Sequence, residues 1–590
     1  MAAPLRIANI SGFYGDKPEA AREMLEGGAV DFLTGDYLAE LTMLILHKAR
    51  ERKPGTGYAA TFLRQLEEIL GTALDRGVKI VVNAGGLNPA GMADEVRALG
   101  RRLGLAPRVA HLEGDDVLGR LDEFQAKGHD LAHLDRGIAL KEADLEPLSA
   151  NAYLGAFGIV EALRRESDIV ICPRVTDASL VVGPTAWHFG WAPNDWDRLA
   201  GAVAAGHILE CGPQTTGGNY AFFEEIPDLL DPGFPIGEMY EDGSFVITKH
   251  PGTGGAVRRG TVTAQLLYEI AEPRYANPDV VARFDTIRLE EDGPDRVRVS
   301  GVRGEPRPAD WKICLNYVGG YRNTASFGIT GLDVEAKARL AEDALFHRLG
   351  GREQFDEVDV QLVRVDARAA QTNAEAISTL HVTVKDRDPA RVGRAFSNRA
   401  TEMLLGSFPG VFTLTPPAAA REFGVYWPAL VPAEEITAVV VDADGVRTEV
   451  PPAKRPDDAA PLDLPPPEIA PPPGGPTRDV PLGTVAGARS GDKGGNANVG
   501  LWARNDTAYA WLHSFVTVER FRTLVPEADA LEVRRFDFPN LRALNFVVVG
   551  LLGEGVASST RPDPQAKGFG EFLRSRTVPV PVSLLDAVSR

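Results

Sequence analysis

Four short stretches of the chain concentrate groups able to do chemistry: NAGGLNPAG at 83–91, ECGPQTTGGN at 210–219, KHPGTGG at 249–255 and SGDKGGNAN at 490–498. Glycine lets the main chain approach a ligand and turn N–H groups toward it, and a following helix end adds positive potential, so such loops suit carboxylates and phosphates. On this basis Gln214, Thr215, Thr216, Gly217 and Gly218, with Asn219 beside them, are expected to form an anion hole. Thr253 and Gly254 would complete it, and Asn83, Gly85, Gly86, Asp492 and Lys493 would line the same cleft. Lys249 and Arg174 are the cations expected to hold a carboxylate or phosphate. Glu210 or His250 is the expected base, since each could carry a proton next to a bound carbonyl. Asp177, just after the apolar run DIVIC in ICPRVTDAS, is the third catalytic candidate, with helix capping as its alternative role.

Other signatures are missing or incomplete. Neither G-x-G-x-x-G nor G-x-x-x-x-G-K-[ST] occurs, so no dinucleotide or nucleotide-triphosphate site is expected. HDLAH at 129–133 lacks the Glu of a zinc helix, and no metal site is expected. Cys211 has no nucleophile elbow around it and reads as a buried, inert thiol.

The elements that must position these loops alternate. LRIANISGF, VDFLTGDYL and VKIVVNAGG read as strands, separated by amphipathic stretches such as TFLRQLEEILGTALDRG and MADEVRALGRRLGL. Short apolar runs between helices of ten or more residues specify βαβ units, hence a layered α/β domain with a mostly parallel sheet over residues 1–260. From about residue 261 to 450 strand-like segments joined by DGPD-type turns suggest a mixed or antiparallel sheet, an α+β unit packed on the first. Residues 451–481 are proline-rich and are expected to form a mobile or extended tether, a semi-rigid spacer. Residues 482–590 form a small α+β domain, expected to pack on the large one and complete its site.

The totals narrow the partners. With 590 residues, 44% hydrophobic and 25% charged, the chain is an ordinary multidomain globular protein. A net charge of −19 disfavours nucleic acid and anionic membranes. Three scattered cysteines, the absence of a signal-like N-terminus and the lack of a long apolar run point to a cytoplasmic protein.

The strings GFYGD, VDFLTGDYLAELTM, VVNAGGLNP, CPRVTDASLVVGP, ECGPQTTGGN and KHPGTGGAV, with SGDKGGNAN near the C-terminus, resemble the acyclic terpene utilisation family. The likeness spans the chain: a large family domain over about residues 5–450, and over about 480–585 the small domain described as ferredoxin-like. It implies a part in bacterial breakdown of branched terpenoid acids as CoA thioesters, and carries over no catalytic residue. The expected protein is therefore a homo-oligomeric enzyme acting on a small-molecule carboxylate or acyl-CoA by lyase or hydratase chemistry. Coenzyme A would enter as part of the substrate, and no resident cofactor is assigned. Two alternatives stay open: a non-catalytic partner that scaffolds an acyl-CoA carboxylase, and a thioester or lactone hydrolase working through Cys211 or an activated water.

Overall fold

The computed structural model describes residues 3–365 and 369–588, the side chains of 587 and 588 excepted. Its largest sheet is built on runs too apolar to face water on either side. Five strands, Leu5–Ser11, Phe32–Gly35, Lys79–Val82, Ile169–Ile171 and Val109–Glu113, lie parallel in that order. Strands buried on both faces read as nearly continuous hydrophobic runs, which is why KIVV and IVI carry no polar alternation. Ala8, Ile10, Leu33, Ile80 and Val82 face helices Ala20–Glu26, Thr61–Arg76 and Pro89–Leu103. On the opposite face Phe32 meets Trp187 of helix Ser179–Phe189 edge-on, with ring centroids 5.9 Å apart.

Antiparallel strands extend this parallel centre on both sides: Pro235–Met239, Phe245–Lys249, Val297–Ser300 and Arg288–Glu291 beyond the first strand, and Ala438–Val441 and Arg447–Val450 beyond Val109–Glu113. The α/β class holds, and only the middle of the sheet is parallel. This also moves the expected domain limits. Residues 288–300 and 438–450 belong to the first sheet, so no break falls at 260.

The chain divides instead into one compact unit of residues 1–316, 426–556 and 565–590, and a second of residues 317–425 and 557–564. In the second unit, strand Ser378–Asp386 pairs antiparallel with Glu357–Val363 and with residues 321–329, and helices Val334–Leu349 and Arg394–Gly406 supply its core.

Residues 451–476 contain no helix or strand, as their proline content dictates, but they are pinned rather than loose. Arg307 donates to the Ala453 carbonyl, Arg283 donates to the Leu462 carbonyl, and Leu462 N–H donates to Glu305. Beyond them, four antiparallel strands in the order Ala486–Lys493, Asn496–Ala503, Ala543–Val548 and Val533–Phe538 carry helices Asp506–Phe515, Val518–Leu524 and Phe569–Arg574 over their own core.

This small sheet grips residues 267–271 of the large domain through two fully buried asparagines. Asn498 donates to the Leu267 carbonyl at 2.8 Å and accepts from Glu269 N–H at 2.9 Å, while Asn545 donates to the Ile270 and Ala271 carbonyls. Each asparagine satisfies main-chain groups that would otherwise be buried unpaired. Asn498→Ala is therefore expected to cost about 1–3 kcal/mol for the stranded groups, read as a lower urea midpoint. A conservative exchange at exposed Asp529 should leave the midpoint unchanged.

Candidate functional site

In open α/β sheets ligands lie beyond the carboxyl ends of the parallel strands, and here each strand end delivers a polar side chain. Asp36 follows Phe32–Gly35, Asn83 follows Lys79–Val82, Asp115 lies just past Val109–Glu113, and Arg174 lies just past Ile169–Ile171. Asn83 donates to Asp36 and accepts from Tyr37 N–H at 2.7 Å, while Leu38 N–H donates to Asp36 at 3.0 Å. Asp115 accepts from Asn151 at 2.8 Å and from Arg174 N–H at 3.2 Å, and burial pushes its carboxyl up to about 7.

Arg174 is the centre of this constellation. Its side chain is 3% exposed, donates to the Leu38 carbonyl at 2.9 Å and pairs with Asp177 at 3.0 Å, and its guanidinium stacks 4.3 Å from the Tyr153 ring centroid. Lys312 Nζ also lies over Tyr153 and, at 5.3 Å, over Tyr426. Tyr153 donates to Glu40 at 3.1 Å, and Lys312 stands 3.8 Å from the same carboxylate. Against the upward push of burial, the Lys312 and Arg174 charges hold Glu40 down at about 2.

Helix Trp196–Leu209 brings the next acid. It is buried along most of its length because its small residues let the backbone come close, and it ends at Glu210. Gly12 completes that approach: a Cβ there would sit 2.9 Å from the Cys211 backbone and 3.0 Å from the Glu210 carbonyl. Glu210 Oε1 lies 3.2 Å from His207 Nδ1, and Oε2 is buried with no hydrogen-bond partner. Burial, then the Asp177 and Glu269 charges, raise the Glu210 carboxyl well above the usual range, and burial lowers His207 to about 4.

The small domain supplies the opposite wall. Strands Ala486–Lys493 and Asn496–Ala503 are joined by Gly494 and Gly495, and the hairpin tip places Lys493 Nζ 2.8 Å from the Glu269 carbonyl. Asn496 ties the tip to Asp135 at 2.8 Å. Burial, then Glu269 and Glu40, push Asp492 up to about 8, and burial also raises Glu269. Arg489 stacks 4.0 Å from the Tyr268 centroid.

These groups act on one another. Asp177, Glu269, Lys493 and Arg174 all bear on Glu210, and Lys312, Glu269, Glu40 and Glu210 all bear on Lys493. Several also touch solvent: the side chains of Lys312, Glu40 and Asp177 are 38%, 36% and 30% exposed, and Lys493 is exposed. A group on a convex surface is scarcely desolvated, whereas these are desolvated and wet together. These groups cluster at the carboxyl edge of the parallel strands, where open α/β sheets bind their ligands, and the cluster is called the recess below. Among the described residues no group of three or more His, Cys, Asp or Glu is arranged to hold a metal ion.

The expected site residues separate into two groups. Asn83, Arg174, Asp177, Glu210, Asp492 and Lys493 come together in the recess, and Asp177 pairs with Arg174 instead of capping a helix. The expected anion hole does not form. Thr215 donates to the Ile208 carbonyl, closing the end of helix Trp196–Leu209, and Thr216 donates to the Gly233 carbonyl at 2.7 Å. Gly218 N–H is taken by Pro213, Asn219 is an exposed left-handed turn residue, and Gln214 makes part of the same turn. Gly217 has φ +116°, so its glycine is required by the turn itself.

KHPGTGG does pack against ECGPQTTGGN: a Cβ on Gly255 would meet the Thr216 carbonyl, and the next residue, Ala256, donates its N–H to that carbonyl at 2.7 Å. His250 is buried with Nε2 donating to the Met24 carbonyl at 2.8 Å. Lys249 is held by the Thr253 carbonyl and Asp295, and Thr253 donates to the His250 carbonyl. Gly85 and Gly86 shape the turn into helix Pro89–Leu103, where a Cβ on Gly85 would meet the Cys172 carbonyl at 2.6 Å. Burial and the neighbouring Glu210 raise the Cys211 thiol, so it is a poor source of thiolate.

Sequence reading missed Asp36, Glu40, Asp115, Tyr153, His207, Glu269, Lys312 and Tyr426. Asp36 and Asp115 had a usable signal, each standing right after an apolar run as TGD or EGD. Glu269 and Lys312 sit in no motif.

Asp492 gives a test of the recess electrostatics. Its folded pKa of about 8 lies above the ordinary value near 4, so the folded protein binds the extra proton and stability falls as pH rises between those limits. Asp492→Asn removes this penalty. Its melting temperature should match wild type near pH 4, exceed it increasingly toward pH 8, and run parallel above. A difference constant across pH would contradict the assignment.

Comparison with family models finds two matches along the chain. Residues 5–441 match the acyclic terpene utilisation family protein AtuA, and residues 480–579 match the AtuA ferredoxin-like domain. No curated protein and no solved structure matches the chain. The chain belongs to the acyclic terpene utilisation family and joins that family's large domain to its ferredoxin-like domain.

Proposed function

We propose that the recess is the active site of a cytoplasmic enzyme of acyclic terpene utilisation that removes a proton next to the carbonyl of a branched carboxylic acid or acyl-CoA, as lyases and hydratases do. The observation that carries this reading is Glu210: a buried carboxylate with one unpartnered oxygen, in the neighbourhood of Arg174 and Lys493. A carboxylate in low dielectric is a stronger base than in water, and a raised pKa brings proton exchange toward neutral pH. His207, whose Nδ1 lies 3.2 Å from Oε1, is held neutral by burial and so does not neutralise the carboxylate. Arg174 and Lys312, stacked on Tyr153, are placed to receive the negative charge of an enolate or a substrate carboxylate.

A purely structural partner of a carboxylase has no use for an unpaired buried carboxylate, which costs stability wherever it does no chemistry. The raised Cys211 thiol likewise weighs against a hydrolase acting through that residue.

Proton removal can be followed without knowing the final product. Incubated in D2O with 3-methylcrotonyl-CoA or 3-methylbutyrate, the wild-type protein should exchange hydrogen for deuterium at the carbon beside the carbonyl, or at the vinylogous position, seen by NMR. Glu210→Gln should slow exchange by roughly 10²-fold or more while ligand binding changes only a few-fold. His250→Ala, outside the recess, should exchange at the wild-type rate if it folds. Exchange that survives Glu210→Gln would remove Glu210 from the role of base.

A further inference from the structure

We propose that Lys493 is a nucleophile of the recess, forming an iminium with a ketone or aldehyde carbonyl of the substrate, so that the compounds handled here include branched oxo acids. This rests on the recess being the active site and goes beyond proton removal.

The geometry sets Lys493 apart from lysines that serve as surface charges. Lys17 and Lys127 each reach a carboxylate at 2.6 Å, and Lys79 and Lys337, which donate to main-chain carbonyls as Lys493 does, lie away from the acids of the recess. Lys493 donates to a neutral main-chain carbonyl, that of Glu269, and no carboxylate within 4.0 Å of it is recorded among the described residues. Its amine is solvent-accessible, so a substrate can reach it. It is also held in place. The two-residue Gly494-Gly495 turn leaves little slack, Asn496 anchors the turn on Asp135, and Leu552 N–H donates to the Gly495 carbonyl at 2.9 Å. An extended, aimless surface lysine needs none of these ties.

The charges facing Lys493 come from several elements. Lys312 on strand Asp310–Ile329 repels its ammonium, while Glu269, Glu40 and Glu210 oppose that effect. Burial and Lys312 together lower the Lys493 ammonium from its ordinary value. A second cation nearby favours the neutral form of an amine, the form that must attack.

The step balances with groups on hand. The neutral Nζ lone pair adds to the carbonyl carbon, and the C=O π pair moves to oxygen, which takes a proton from Glu269 or Glu210, both raised acids. The ammonium nitrogen formed by the addition returns one proton to the carboxylate just ionised; the carbinolamine oxygen then takes a second proton and leaves as water as the nitrogen lone pair forms the C=N bond of the iminium. That cation withdraws electrons from the adjacent carbon and eases the proton transfer assigned to Glu210. Water adds back to release the product and restore the amine.

The test uses the full chain with 4-methyl-2-oxopentanoate and sodium cyanoborohydride, which reduces an iminium to a stable secondary amine, followed by peptide mass spectrometry. The adduct is expected on Lys493 well ahead of all other lysines. Lys493→Arg, which keeps the charge, should abolish it with an unchanged melt. Lys312→Met should leave the adduct on Lys493 and move the pH profile of trapping upward. Adduct spread over exposed lysines, or concentrated on Lys312, would overturn the proposal. Absence of adduct alongside Glu210-dependent deuterium exchange would overturn it too, leaving the proton-removal reading intact.

Discussion

Arg174 is almost wholly buried at the carboxyl edge of the parallel strands, and a guanidinium does not give up its proton within the folded protein. Its charge must be answered where it stands. The answer is divided between the Leu38 carbonyl, the Asp177 carboxylate and the face of Tyr153, with Asp36 and Glu40 contributing from further out. They come from three places, the stretch 36–40 after Phe32–Gly35, the loop that carries Arg174 and Asp177, and Tyr153 just past strand Pro147–Ala152, so fixing one cation ties these three segments together. Gly12 and the small-residue helix Trp196–Leu209 follow from the same requirement, since Glu210 belongs to the neighbourhood only if the helix end can press against the first strand's end.

That dependence explains what the sequence showed and what it hid. Strand ends were legible because a polar residue immediately after a both-face-apolar run has few places to go except the carboxyl edge; Arg174 and Asp177 were found in this way, and Asn83 through its glycine loop. The glycine-threonine loops misled. Thr215 and Thr216 look like anion ligands in a string, yet a buried helix end leaves carbonyls without partners and took the Thr215 hydroxyl, while the loop carbonyl of Gly233 took that of Thr216. His250 was misplaced for a similar reason: next to a glycine turn it reads as catalytic, but the main-chain carbonyl of Met24 also needed a donor. Glu269 and Lys312 could not be read at all, because their roles come from the approach of segments far apart in the chain.

The extension of the sheet by residues 288–300 and 438–450 was equally hidden. An antiparallel strand added to the edge of a parallel sheet looks, in sequence, like the start of a separate antiparallel domain. Local alternation reports that a strand has one wet face, and does not report which sheet it joins.

The ferredoxin-like domain contributes more than a lid's worth of surface. Asn498 and Asn545 read the backbone of 267–271, and that same segment presents Glu269, so docking and site formation are one event. Without the hairpin carrying Lys493, the acids of the recess would outnumber the cations Arg174 and Lys312 still further, and the unpaired carboxylates would be more costly to ionise. With it, one more cation enters at the position where Glu210, Glu269 and Glu40 all act. The recess still holds a surplus of acid, so part of it stays protonated near neutral pH. A site built this way keeps a proton donor, a proton acceptor and fixed cations within one desolvated wall, the combination that chemistry beside a carbonyl requires.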